Sequence, residues 1–237
     1  MWAEKLFESI SNALVSILIE NKKPLASLRS KRVQFAEHNR RRDWDHVVFW
    51  DEKEFELFGS PNRKNDVVWD EHRVQITQGE VAHPTKYKVG AAISSRGVTR
   101  LVPYAGMIDS DEYQRMISKV LPDIYKMFPD GDWVLVQDSA RPHVSRSSLA
   151  FLADNVPDFI KPSEWAANSP DISPIENVFG DQQEKVYSKD PQTLEAMKKI
   201  VHSEWKKLTP EICKKFVSVV PNRLRKIIET KGEYVLK

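Results

Sequence analysis

Leu6, Ile10, Ala13, Leu14, Ile17 and Leu18 recur at the spacing of one helical face, which predicts an amphipathic helix over 3–20. A second helix is expected over 25–39, with Pro24 at its start and Leu28, Val33 and Phe35 as its apolar positions. The period then falls to two. Residues 46–58, HVVFWDEKEFELF, open with a continuous apolar run and then alternate, which predicts a long strand that is buried first and half-exposed later. Residues 59–85, with Gly59, Pro61, Asn62, Gly79 and Pro84, read as a protruding excursion carrying a short strand at 66–69. A hairpin over 86–94 and 98–104 follows, then a helix over 109–128, a buried strand over 132–138 and a helix over 143–155. A short strand at 159–162 precedes helices over 174–188, 191–208 and 210–229. Strands and helices in this order predict an α/β fold: a mixed sheet with a helical C-terminal layer.

Charge changes this picture in one place. The formal net charge is +2, but residues 21–42 hold Lys22, Lys23, Arg29, Lys31, Arg32, Arg40, Arg41 and Arg42 against the single acid Glu37. That segment is +7 and leaves −5 for the rest. A basic block beside a mildly acidic body suits contact with a polyanion, or the solvated face of a helix. Its Lys and Arg clusters also suit a nuclear address. One cysteine, Cys213, excludes an intramolecular disulfide and a multi-cysteine zinc site. The apolar run at 13–19 is too short to span a bilayer and lacks a basic leader, so no membrane partner is expected.

The chemistry lies in the carboxylates. VVFWD and VLVQD each set an aspartate, Asp51 and Asp138, against a strongly apolar run. A buried carboxylate needs compensation. Asp138 can find it by starting a turn, and Asp51 by pairing with Lys53 on the same strand face. In-register neighbouring strands would instead bring the two aspartates together, where they repel unless a cation or a shared proton intervenes. With a third carboxylate such a site suits Mg²⁺ or Mn²⁺, and two ions about 4 Å apart can assist phosphodiester cleavage. Glu176 is the candidate third member. Ser173, Pro174 and Glu176 also read as a helix capping box, so its role is open on these residues alone.

VVFWDEKEF, VLVQDSARPH and WAANSPDISPIENVFG resemble, in order, the three signature blocks of the Tc1/mariner family of DNA transposases: DE-K/S-x-F, QDN-A-x-PH and SPDLNPIEN-W. Asp51, Asp138 and Glu176 fall on the family's acidic positions, with 37 residues between the last two. The resemblance covers roughly residues 22–237. It implies an RNase H-like fold with a five-stranded mixed sheet. It also implies metal-dependent phosphodiester hydrolysis and strand transfer in cut-and-paste transposition, with the three carboxylates as ligands of Mg²⁺ or Mn²⁺, as two ions. His143 is then expected beside a ligand or facing a phosphate, and Asn177 beside Glu176 as the residue that orients it. Lys22, Lys23, Arg29, Lys31, Arg32, Arg40, Arg41 and Arg42 become contacts for double-stranded DNA, both transposon ends and target. The insertion at 59–85 is expected to reach a partner in a DNA-bound homodimer, and the nucleus is the expected location.

Ser139 and Phe179 stand where the family commonly has Asn and Trp. Full-length members resemble two helix-turn-helix modules followed by the catalytic domain, and residues 1–20 supply no such reader. The expected organisation is a helical, basic linker over 1–45 and a catalytic domain over 46–237. A different class of function stays open: a transposase-derived protein that binds DNA or dimerises without catalysis. A third reading, another RNase H-like nuclease, is disfavoured by SPDISPIEN.

Overall fold

A computed structural model describes residues 26–57 and 85–235. The helix expected over 3–20, the strand at 66–69, the protruding loop with its dimer role, and Lys22 and Lys23 lie outside the described residues.

Helix α1 spans Ala26–Asn39, and strand β1 spans Val47–Glu56. Strand β2, Lys86–Ser94, pairs antiparallel with β1, with Asp51 opposite Ala91. Two short strands, β3 at Gly97–Val98 and β4 at Val102–Tyr104, complete the hairpin, each antiparallel to β2. The hairpin's second arm is split where the Thr99 hydroxyl accepts the Ala92 N–H (2.9 Å) and the Thr99 carbonyl turns to the Trp205 indole (2.7 Å). Helix α2, Ser110–Met127, is capped by Asp109, whose side chain accepts the Glu112 N–H. Strand β5, Val134–Val136, returns parallel to β1 with Phe49 opposite Val136. The sheet is therefore mixed and five-stranded, in the order β3-β2-β1-β5 with β4 also on β2.

The remaining helices are α3 (Arg141–Val144), α4 (Arg146–Asn155), α5 (Pro174–Tyr187), α6 (Leu194–Trp205), α7 (Pro210–Val217) and α8 (Val220–Glu229). Three expectations need correction. Residues 159–162 form no strand. Phe159 makes only an isolated bridge to Leu135, between Pro157 and Pro162, neither of which can donate to a ladder. The helix expected over 143–155 begins at Arg146, because Ser145 takes an extended conformation and caps it. The helix expected over 210–229 breaks at Ser218–Val219. Pro221 carries no N–H and its ring would crowd the carbonyl one turn back, so it starts a new helix instead of continuing the old.

Alternation along β1 divides the core. Val47, Phe49 and Phe55 face one cluster with α5 to α8, including Ile175, Val178, Phe179 and Trp205. Val48 and Trp50 face another with Tyr113, Met116, Ile117, Val120 and Ile124 of α2 and Leu152 of α4. Odd-numbered β1 residues thus point toward α5 and even-numbered ones toward α2, as a two-residue period requires. Val134 and Val136 of β5 join the α5 side. Phe35 and Ala36 of α1 belong to that same cluster, so α1 packs into the body that follows it.

Candidate active site

The strand period places Asp51 on the α5 face of β1. Two residues beyond the last paired position of β5, Asp138 continues the face of Val134 and Val136. Helix α5 packs on this face and carries Glu176 in its first turn. All three residues line one cavity of about 450 Å³ together with Trp50, Gln137, Trp165, Asn168, Ser169 and Ser173. Sequence segments separated by well over a hundred residues therefore converge on it.

Asp51 is half-buried, and its Oδ1 accepts the Glu52 N–H at 2.7 Å. Burial raises its pKa well above the ordinary value, and the neighbouring charges of Glu176, Glu52 and Asp138 push the same way. Burial likewise raises Glu176, although a hydrogen bond with Asp51 and the nearby charge of Lys53 pull in the other direction. Both carboxyls are thus harder to ionise than a free one, with burial as the main cause. Lys53 projects from the same strand face, and its own pKa is lowered by burial.

Asp138 behaves differently. Burial alone would raise its pKa, but a hydrogen bond from His143 and one from the Ala140 N–H (2.9 Å) outweigh it and hold the carboxylate ionised. The His143 ring is buried between two carboxylates, with Nδ1 2.7 Å from Asp138 Oδ1 and Nε2 3.1 Å from Glu52 Oε1. Burial disfavours its charged form, yet the two carboxylates win and raise its pKa to about 10. At neutral pH the ring is an imidazolium that donates both N–H groups. The Trp50 indole donates to the same Glu52 oxygen at 2.8 Å. The Tyr113 ring lies tilted over His143, with centroids 4.6 Å apart, and its hydroxyl hydrogen-bonds Gln137, whose amide reaches the His143 carbonyl. Glu52 was not singled out from the sequence. The signal was available: as an even-numbered residue it shares the face of Trp50, opposite to Asp51.

Other assignments shift. Ser173 makes no side-chain cap bond, so the expected capping box does not form and Pro174 opens α5 instead. Asn177 accepts a hydrogen bond from Arg223 at 2.6 Å, which ties α5 to α8; no bond from Asn177 to Glu176 accompanies it among the described residues. Arg32 is no phosphate contact. It is fully buried, and its guanidinium grips both oxygens of Asp171 at 2.8 and 2.6 Å. Arg29 is half-buried and pairs with Glu233 at 2.8 Å, and Arg42 donates to Asn39 at 2.8 Å. Lys31, Arg40 and Arg41 are exposed.

The donor set suits a hard divalent cation: carboxylate oxygens, with the one nearby imidazole already committed to two acids. The raised pKa values of Asp51 and Glu176 mark where positive charge is wanted. Among the described residues, no three such side chains stand gathered in a ready coordination shell.

No family model matches the chain. The Tc3 transposase of Caenorhabditis elegans is 28% identical over 217 residues, 87% of this chain, and the chain spans 63% of that relative's length. The fold matches the Mos1 transposase paired-end complex with left transposon end, with a TM-score of 0.78 and 18% identity over 92% of this chain and 66% of that one. It also matches the Mos1 transposase catalytic domain solved with Raltegravir and Mn, with a TM-score of 0.71 and 15% identity over 90% of this chain and 99% of that one. By sequence the chain is similar to transposases of the Tc1/mariner type, and it shares the fold of the Mos1 catalytic domain.

Proposed function

We propose that this chain carries the catalytic domain of a DNA transposase, which hydrolyses and rejoins phosphodiester bonds with the help of divalent metal. One observation carries the reading: Asp51, Asp138 and Glu176, on β1, after β5 and on α5, line the same cavity. Mos1, whose fold this chain shares, was solved with Mn and with Mg, which supports the same choice of ion here.

In this reading Asp51 and Glu176 would serve as ligands in their ionised form. Asp138 stays ionised throughout because His143 and the Ala140 amide hold it so. His143, steadied by Glu52, keeps the Asp138 carboxylate oriented toward the cavity. When bound, one or two Mg²⁺ ions would activate a water and stabilise the leaving oxygen of the scissile phosphate. Double-stranded DNA is the partner, with Lys31, Arg40 and Arg41 neutralising its phosphates and a homodimer forming on paired ends. The nucleus is the corresponding location.

The test is cleavage of plasmid or end-containing DNA by the purified chain with Mg²⁺, with Mn²⁺ and with chelator. Metal-dependent nicking that vanishes in Glu176→Gln supports the reading. Metal-independent nicking, or nicking retained by Glu176→Gln, overturns it. DNA binding without any cleavage would favour a non-catalytic derivative.

A further inference from the structure

The segment from Trp165 to Ser173 forms one wall of the cavity and leads directly into the first turn of α5, which bears Glu176. It has no regular secondary structure. Short turns hold part of it, with the Ile172 N–H donating to Ser169 (3.1 Å) and the Ser173 N–H to Pro170 (3.2 Å). Asn168 adopts a positive φ of 53°, an uncommon conformation outside glycine. A wall of this kind needs support from elsewhere in the fold.

Much of that support comes from α1. Arg32 donates to both Asp171 oxygens, to Ser169 Oγ at 2.6 Å, and to the carbonyls of Gly232 at 3.0 Å and Glu233 at 3.1 Å. Its guanidinium also lies 4.8 Å from the Tyr234 ring. Asp171 is satisfied in turn by the Val235 N–H at 2.8 Å. One helical turn away, Phe35 meets Trp165 edge-on at 5.1 Å. Ser169 and Trp165 both line the cavity, so α1 touches its wall at two points. Gly232 makes the close approach possible: its φ is 89°, and a Cβ there would sit 2.4 Å from the Arg29 carbonyl.

A buried ion pair contributes little net stability compared with well-packed apolar residues of similar volume. What a fully bonded Arg–Asp pair supplies is a fixed geometry. Here that geometry is imposed on the wall that leads into the helix turn bearing Glu176.

We propose that Arg32 is a positioning residue: through Asp171 and Ser169 it sets the Trp165–Ser173 wall, and so places Glu176 for ion binding whenever α1 is docked. The ion-binding part rests on the metal reading above. Docking of α1 then couples whatever lies before it in the chain to the readiness of the site.

The test compares the full chain with Arg32→Lys, Ser169→Ala and Ile124→Ala. Lysine keeps the charge but cannot bond bidentately. Ser169→Ala removes only the wall's own hydroxyl and leaves the Arg32–Asp171 pair, so it serves if Arg32→Lys fails to fold. Ile124→Ala destabilises the α2-side core, far from the wall. Mn²⁺ binding is read by calorimetry, and amide hydrogen exchange is read over 165–177. Arg32→Lys is expected to weaken Mn²⁺ about tenfold and to speed exchange in 165–177 while α2 stays protected. Ser169→Ala should do the same to a smaller degree. Ile124→Ala should lower thermal stability without either effect. Unchanged exchange over 165–177 in both wall variants overturns the proposal, as does the same local loosening in Ile124→Ala. If the parent chain takes up no Mn²⁺, the metal reading fails, and the exchange data still decide whether Arg32 holds the wall.

Discussion

The two sides of the cavity have settled their charge in opposite ways. On one side burial raises the pKa of both Asp51 and Glu176. On the other, Asp138 is held ionised by an imidazolium that Glu52 supports from behind. All three are carboxyl groups facing the same space. The difference lies in how the positive partner acts. Asp138 is hydrogen-bonded by the His143 imidazolium, whereas the charge of Lys53 near Glu176 does not outweigh burial; a proposed cation would add most on that second side.

The largest break in this comparison comes from removing a carboxylate. Asp51→Asn, Asp138→Asn and Glu176→Gln should each reduce metal-dependent cleavage to background, measured on supercoiled DNA. The first and last should leave the metal-free fold intact, because they remove repulsion. Asp138→Asn should also disturb the fold, because it takes a partner from buried His143.

Metal uptake is the next largest effect. Mn²⁺ at a hundred times its dissociation constant should stabilise the chain by about 2.7 kcal/mol, read as a rise in melting temperature. Glu176→Gln should abolish that rise. A full rise in Glu176→Gln would place the ion elsewhere.

Acidity sharpens the contrast through its sign. Asp51 and Glu176 titrate higher in the folded chain, so their stabilising contribution is complete below about pH 4 and is lost as pH rises through their folded values. Asp138 titrates lower, so its contribution is present above about pH 4 and is lost as pH falls through its folded value. His143 is raised to about 10, so its contribution is complete below about pH 6.5 and fades as pH climbs toward that value. Metal-free melting curves should lose their decline at rising acidic pH in Glu176→Gln. Imidazole NMR should show the His143 titration moving down in Glu52→Gln; an unmoved titration would detach Glu52 from the network.

The smallest effect concerns α1 and the turn after it, where arginines also divide into served and unserved. Arg40→Ala and Arg41→Ala should each weaken DNA binding about equally on all sequences and lower the salt slope by about one, measured by fluorescence anisotropy. Arg32 should contribute nothing directly to that slope.

Much of this was legible in the residue pattern. β1 follows from periodicity, α2 from its spacing and acidic start, and α5 from Pro174 after Ser173, while the parity of β1 and β5 brings Asp51 and Asp138 to one face. The three blocks around Asp51, Asp138 and Glu176 led to the fold that the solved relatives share. What periodicity missed depends on distant partners. Arg32 looks like one more surface cation in a basic run, because its acceptor Asp171 lies 139 residues away. Glu52 looks like half of an acidic pair until His143 arrives 91 residues later. Ser173 has the composition and the backbone of a cap but makes no side-chain cap bond, and residues 159–162 have apolar content between prolines that cannot donate to a ladder.

The grip of Arg32 on the C-terminal tail has a consequence for the order of events during protein synthesis. Arg32 leaves the ribosome 200 residues before Gly232, whose carbonyl it needs. Until then the guanidinium has only part of its final set of acceptors, and the tail that closes over it does not yet exist. Helix α1 therefore cannot seat fully until residues 232–235 have been made. A nascent chain that has exposed Asp51, Asp138 and Glu176 but not yet residues 232–235 should still lack the full brace on the wall.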